Sequence, residues 1–97
     1  MPKGYMISAH RSPADPVKGD AYRAIAIPAM KTMGGTFLAA GGKVVAKENG
    51  VEERTILIEF ESFDEAVAAY ESDAYQEALK VLEGGADRDI RLFEGLE

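Results

Sequence analysis

Apolar and polar residues alternate along this chain with two distinct periods, and the switches between them divide it into elements. From Gly4 to His10, Tyr5, Ile7 and Ala9 alternate with Met6, Ser8 and His10, the period-two pattern of a strand. The Tyr5 side is assigned to the helices, which leaves Met6, Ser8 and His10 on the opposite, partly apolar face. Asp15-Pro16 follows as a helix start, a cap acceptor ahead of proline at the first helical position, with Asp20 as a competing start because Gly19 weakens the first turn. Tyr22, Ile25, Ala26, Ala29, Met30 and Met33 then recur at helical spacing and form one buried stripe, and a kink is expected at Pro28. Gly34-Gly35 ends that helix.

Thr36 to Ala40 reads as a second strand and Lys43 to Lys47 as a short third. Asn49-Gly50 is a hairpin turn leading into Arg54–Glu61, the most strand-prone run of the chain. Ser62 with Glu65 three residues on makes a capping box, so a helix from Phe63 to about Glu71 folds straight back over that strand. A second helical piece carries Tyr75, Ala78, Leu79 and Leu82 on one face and stops at Gly84-Gly85. Asp89 to Glu94 is the last strand. Strand, helix, strands, helices, strand is the order of an α+β split βαβ, or ferredoxin-like, plait with an antiparallel sheet covered on one face by helices. The bare face is expected to combine Met6, Leu57 and Phe37 or Leu38 with Ser8, His10, Thr55 and Glu59. Pairing it with a second copy would bury the apolar part and leave a cavity.

Composition narrows the partners. Residues 1–97 make one domain, and no run is long enough for a membrane span. The start enters a strand at once, so no signal peptide is expected. The absence of cysteine excludes disulfide and thiolate chemistry and is compatible with a cytoplasmic protein. Seventeen acidic against eleven basic residues, a net charge of −6 with no basic stripe, disfavour nucleic acid.

Asp15-Pro16, Tyr22, Pro28, Gly34-Gly35-Thr36-Phe37-Leu38 and Gly41-Gly42-Lys43 resemble the first half of the domain of unknown function 1330 family. Arg54, Ile58-Glu59-Phe60, Ser62-Phe63, Ala66, Tyr70, Ser72, Tyr75-Gln76 and Glu94-Gly95 resemble its second half. The resemblance covers almost the whole chain. It implies membership of the dimeric α/β-barrel superfamily: a ferredoxin-like protomer whose sheet packs against a partner's sheet in a homodimer. Two positions depart from the family pattern. Gly19 stands where an aromatic residue is common, and Leu82-Glu83-Gly84-Gly85 lacks a basic residue found in many relatives, a role that Arg88 or Arg91 would have to take.

No G-x-S-x-G, nucleotide loop or zinc spacing is present, and neither a cofactor nor a metal is expected. His10, the only histidine, is a candidate general base at a strand end or else a solvated side chain. Glu59 lies between Ile58 and Phe60, so alternation aims it away from the helices. A carboxylate there needs a partner, which Arg54, Arg91 or His10 could supply. It is either a dimer-fixing ion pair or a ligand contact. The candidate catalytic residues are therefore His10 and Glu59, with Ser8, Arg54, Tyr70 and Arg91 as candidate ligand-binding residues, Tyr70 otherwise being a packing residue. The expected function is binding of a small organic molecule in the dimer cavity. Cofactor-free proton transfer or oxidation is implied by some members of the superfamily. The alternative is a binding or structural dimer without turnover.

Overall fold

A computed structural model describes all residues, Met1–Glu97. Strand β1 (Gly4–His10) leads through a short loop into helix α1 (Pro16–Thr32), then β2 (Thr36–Ala40) and, after a long loop, β3 (Thr55–Phe60). Helices α2 (Phe63–Glu71) and α3 (Asp73–Leu82) follow, and β4 (Arg88–Glu94) closes the chain. The sheet order is β2-β3-β1-β4, with every pair antiparallel. This is the ferredoxin-like plait, with the three helices on one face of the sheet.

Local chemistry sets the element ends. The Asp15 carboxylate accepts the Val17 amide at 3.1 Å with Pro16 behind it, so α1 starts at the first of the two candidate positions. The helix runs on through the exposed Pro28 to Gly34, whose φ of +91° is the left-handed cap that glycine adopts without a Cβ penalty. The Ser62 hydroxyl accepts the Glu65 amide at 3.2 Å and opens α2. Ser72 serves two helices: its hydroxyl donates to the Ala69 carbonyl at 2.8 Å and accepts the Tyr75 amide at 3.3 Å, which sets the corner between α2 and α3. The core between sheet and helices is built from Met6, Ile58 and Phe60 below and from Ala26, Met30, Ala66, Ala69, Tyr75 and Ala78 above.

Two expectations are corrected. Lys43 to Lys47 forms no strand. A strand there, joined to β3 by a hairpin, would need an edge of β3, and β2 and β1 occupy both edges through Phe37 opposite Ile58 and Met6 opposite Ile58. Residues 41–54 instead form an irregular loop, and Glu48, with φ +53°, takes the left-handed turn position expected of Asn49-Gly50. The second correction concerns the faces of β1. Met6 stands opposite Ile58 and Ser8 opposite Ile56, and residues opposite one another share a face. Met6, Ser8 and His10 therefore point under the helices and are buried, whereas Tyr5, Ile7 and Ala9 lie on the helix-free face.

Candidate functional site

The polar residues that β1 sends under the helices meet a cluster the pattern of the sequence did not single out. In the Cα register His10 faces Arg88 on β4, which brings the Arg88 guanidinium beneath α1. There its Nη1 donates to the Tyr22 hydroxyl at 3.0 Å and, more weakly, to the Ser8 hydroxyl at 3.5 Å. Its carbon lies 4.9 Å from the Tyr22 ring centre, a cation–π arrangement. The Tyr22 hydroxyl is also 2.7 Å from that of Tyr75, the two rings meeting edge to face. Tyr75 is 1% exposed, and burial, followed by the neighbouring Tyr22, pushes its phenol far above the ordinary value. It stays protonated and is a hydrogen-bond partner rather than a base.

Beside this network lies a cavity of about 240 Å³ between α1 and strands β1, β2 and β3. Ten of its fourteen lining residues are hydrophobic, among them Met6, Met30, Phe37 and Ile58, so its body suits an apolar molecule. The other four are Ser8, Arg23, Lys31 and Arg54, and two of the ten, Tyr22 and Tyr75, add their hydroxyls to these polar groups. A narrow annex of about 20 Å³ shares Tyr22, Arg23, Arg54 and Ile56 with it and adds His10, Gly19 and Arg88. His10 is buried, and its pKa is lowered first by that burial and then by Arg88, Arg54 and Arg23. The imidazole is therefore neutral near pH 7 and can accept a proton. The Arg54 guanidinium lies across the backbone of Gly41, where a Cβ would collide with it; Gly41 also has φ +81°.

The six candidate site residues divide. Ser8, His10 and Arg54 come together on the helix side. Glu59 stays on the helix-free face as its alternation required, but its partner is the Tyr5 hydroxyl, donating at 3.2 Å. His10 and Glu59 occupy opposite faces of the sheet, so they cannot act as a pair. Arg91 is exposed and forks onto the Asp89 carboxylate at 3.2 and 3.1 Å. Tyr70 packs on Tyr75, ring centres 5.2 Å apart, and lines an open depression of about 260 Å³ under α3, which Glu83 and Arg88 also line. Tyr22, Tyr75 and Arg88 were missed as a unit. Their signal is long-range: α1 and α3 must pack before the two hydroxyls meet. No group of three or more His, Cys, Asp or Glu side chains is placed to hold a metal ion, and no helix is long and apolar enough to cross a membrane.

Known proteins place this geometry in context. A protein of unknown function from Rhodopseudomonas palustris is similar at a TM-score of 0.73 and 17% identity, over 99% of this chain and 84% of that one. SnoaB, a cofactor-independent oxygenase from Streptomyces nogalater, is similar at a TM-score of 0.62 and 11% identity, over 100% and 96%. A dimeric ferredoxin-like protein of unknown function from Thermobifida fusca YX is similar at 0.53 and 13%, over 96% and 91%. At these identities the likeness is one of fold. None of the curated proteins matches the sequence. The family model described as Domain of unknown function (DUF1330) matches residues 3–96, and the chain belongs to that family.

Proposed function

We propose that this protein binds a small, predominantly apolar organic molecule in the cavity between α1 and the sheet, and that His10 carries out cofactor-free proton transfer on it. The observation that carries the proposal is the cavity of about 240 Å³ whose hydrophobic walls end at the polar Ser8–Tyr22–Tyr75–Arg88 cluster. At about 240 Å³ the cavity lies just below the roughly 300–1,000 Å³ of drug-sized ligand pockets, the scale of a one- or two-ring compound. A neutral imidazole can remove a proton from an activated carbon or a hydroxyl, and the surrounding arginines would stabilise the anion left behind. Oxidation would begin from that anion, with dioxygen as the co-reactant that accepts its electrons. The fold shared with a cofactor-independent oxygenase agrees with this chemistry but contributes no residue to the argument. Binding without turnover is the second reading, favoured by one feature: His10 sits in the annex rather than along the main cavity wall.

We also infer a homodimer through the helix-free face. Ile7 and Leu57 stand side by side there, as do Tyr5 and Phe93, whose rings stack at 5.6 Å while Phe93 remains 43% exposed. That set replaces Met6 and Phe37, which face the helices. A second copy would remove this apolar surface from water.

The binding test is a thermal-shift screen of small organic compounds against the wild type and Ala26→Leu, which fills the cavity from α1. A compound at a hundred times its Kd adds about 2.7 kcal/mol, which in a domain of this size raises Tm by roughly 10–20 °C. The shift should vanish in Ala26→Leu. A shift of equal size in that variant would mean that the compound binds elsewhere.

A further inference from the structure

The distribution of charge around the cavity is the reverse of that in the whole chain. The protein carries seventeen acidic and eleven basic residues. Yet Arg23, Lys31, Arg54 and Arg88 line the cavity or its annex, and no aspartate or glutamate does. Of these cations, Arg23 has its own carboxylate, Asp20, on the outer side of α1. Arg54 and Arg88 have none. The nearby Asp87 is turned to Arg11 at 3.8 Å, and Asp89 is held by Arg91 on the other face of the sheet. Arg88 is the more telling of the two. It is half-buried, its Nη1 donates to the neutral hydroxyls of Tyr22 and Ser8, Tyr75 is a further neutral neighbour, and no carboxylate pairs with it. A guanidinium drawn out of bulk water without a counter-charge is costly, and the rest of its donor fork is left for another acceptor.

We infer that the molecule bound in the cavity is an organic anion, its apolar body in the main cavity and its carboxylate or enolate oxygen in the annex between Arg54 and Arg88. This inference rests on the binding reading above and adds the charge of the ligand to it. The sizes match the division. An annex of about 20 Å³ takes one oxygen-sized group, since a single water needs roughly 10–15 Å³ measured in this way. The main cavity, with its ten hydrophobic lining residues, takes the remainder. Arg54 is delivered to the annex by a specific backbone device, the side-chain-free surface of Gly41. His10 lies in the same annex, with Arg54 reaching it from the start of β3, Arg88 from β4, and Tyr22 and Arg23 from α1. An anion seated there would offset the arginines that, after burial, lower the pKa of the imidazole.

Matched probes test this. 1-Naphthoate and octanoate would be titrated by calorimetry against 1-naphthamide and octanamide, which keep the shape and lose the charge. Each carboxylate should bind the wild type about tenfold more tightly than its amide, the scale of one charge-assisted hydrogen bond. Arg54→Gln, at an exposed position that should fold normally, should remove most of that preference, weakening carboxylate binding about tenfold and amide binding much less. Arg88→Gln should do the same if it folds. The sole histidine gives a second readout by NMR: the His10 pKa should rise when the carboxylate is added and not when the amide is. Equal affinity for acid and amide would overturn the anion inference and leave the cavity reading standing. Binding of none of the four probes would overturn both.

Discussion

Replacing Tyr22 by Phe should cost more than replacing Tyr75, although Tyr75 is the more deeply buried ring. The Tyr22 hydroxyl stands between two groups, accepting from Arg88 at 3.0 Å and bonding Tyr75 at 2.7 Å. Tyr22→Phe removes the acceptor of a charged donor, worth about 1.5–3 kcal/mol, and strands the Tyr75 hydroxyl, worth about 1–3 kcal/mol. Arg88 is only half-buried and can turn partly to water, so the net loss should be about 3 kcal/mol. Tyr75→Phe leaves the Arg88–Tyr22 bond intact and should cost about 1 kcal/mol. In the double variant no stranded phenol remains, so its loss should fall short of the sum by about 1–2 kcal/mol. Urea denaturation of the three variants measures this directly. In thermal melts Tyr22→Phe should lower Tm by roughly 12–24 °C and Tyr75→Phe by roughly 4–8 °C. Equal losses from the two single variants, or strict additivity in the double, would refute the linear Arg88–Tyr22–Tyr75 arrangement.

Gly41→Ala should destabilise the protein by about 1–2 kcal/mol from its left-handed φ alone and should displace Arg54, visible as a reduced preference for carboxylates over amides. His10 titrates lower in the folded protein than its unfolded value near 6.5, so the unfolded state binds more protons in that window. Stability contributed by the neutral imidazole is thus full above about pH 6.5 and declines as pH falls towards the folded pKa. His10→Gln should flatten that part of the stability profile, and an unchanged slope would mean that the histidine is solvated. Leu57→Glu should break the inferred dimer or unfold the chain, because it sets a charge among Ile7, Tyr5 and Phe93, whereas Glu48→Lys in the exposed loop should do neither. Light scattering separates the two, and a wild-type monomer at micromolar concentration would count against the dimer.

Most elements were legible in the sequence because their signals are local. Asp15-Pro16, Ser62 and Ser72 cap the helices they precede, and the runs at Thr36 and Thr55 carry enough β-branched and aliphatic residues to pair. Lys43–Lys47 carries the same kind of signal and forms no strand, because pairing is decided by which edge is free, and β3 has none. The face of β1 misled for a related reason. Tyr5 and Ile7 look like core residues, yet the register with Ile58 turns Met6, Ser8 and His10 inward, where the helix side is polar at one end. That inversion places Ser8 and His10, with Arg54, beside the cavity under the helices rather than on the helix-free face that the alternation suggested. Glu59 points to the helix-free face as alternation required, but the hydroxyl that partners it comes from Tyr5, a residue assigned to the helices. Arg88 joins the site only through its register opposite His10, a long-range pairing that no local window contains.

The occupancy of the helix-side cavity is tested most directly by mapping amide chemical shifts during a titration with 1-naphthoate. Binding there should move the amides of Ser8, Tyr22, Ala26, Ile58 and Tyr75, which surround the cavity, together with those of His10 and Arg88 at the annex. The amides of Ile7, Leu57 and Phe93, on strands shared with the cavity but with side chains on the other face, should move less. Shifts concentrated on the helix-free face, or on the depression beside Tyr70 and Leu79, would place the ligand elsewhere and contradict the assignment of the cavity between α1 and the sheet as the binding site.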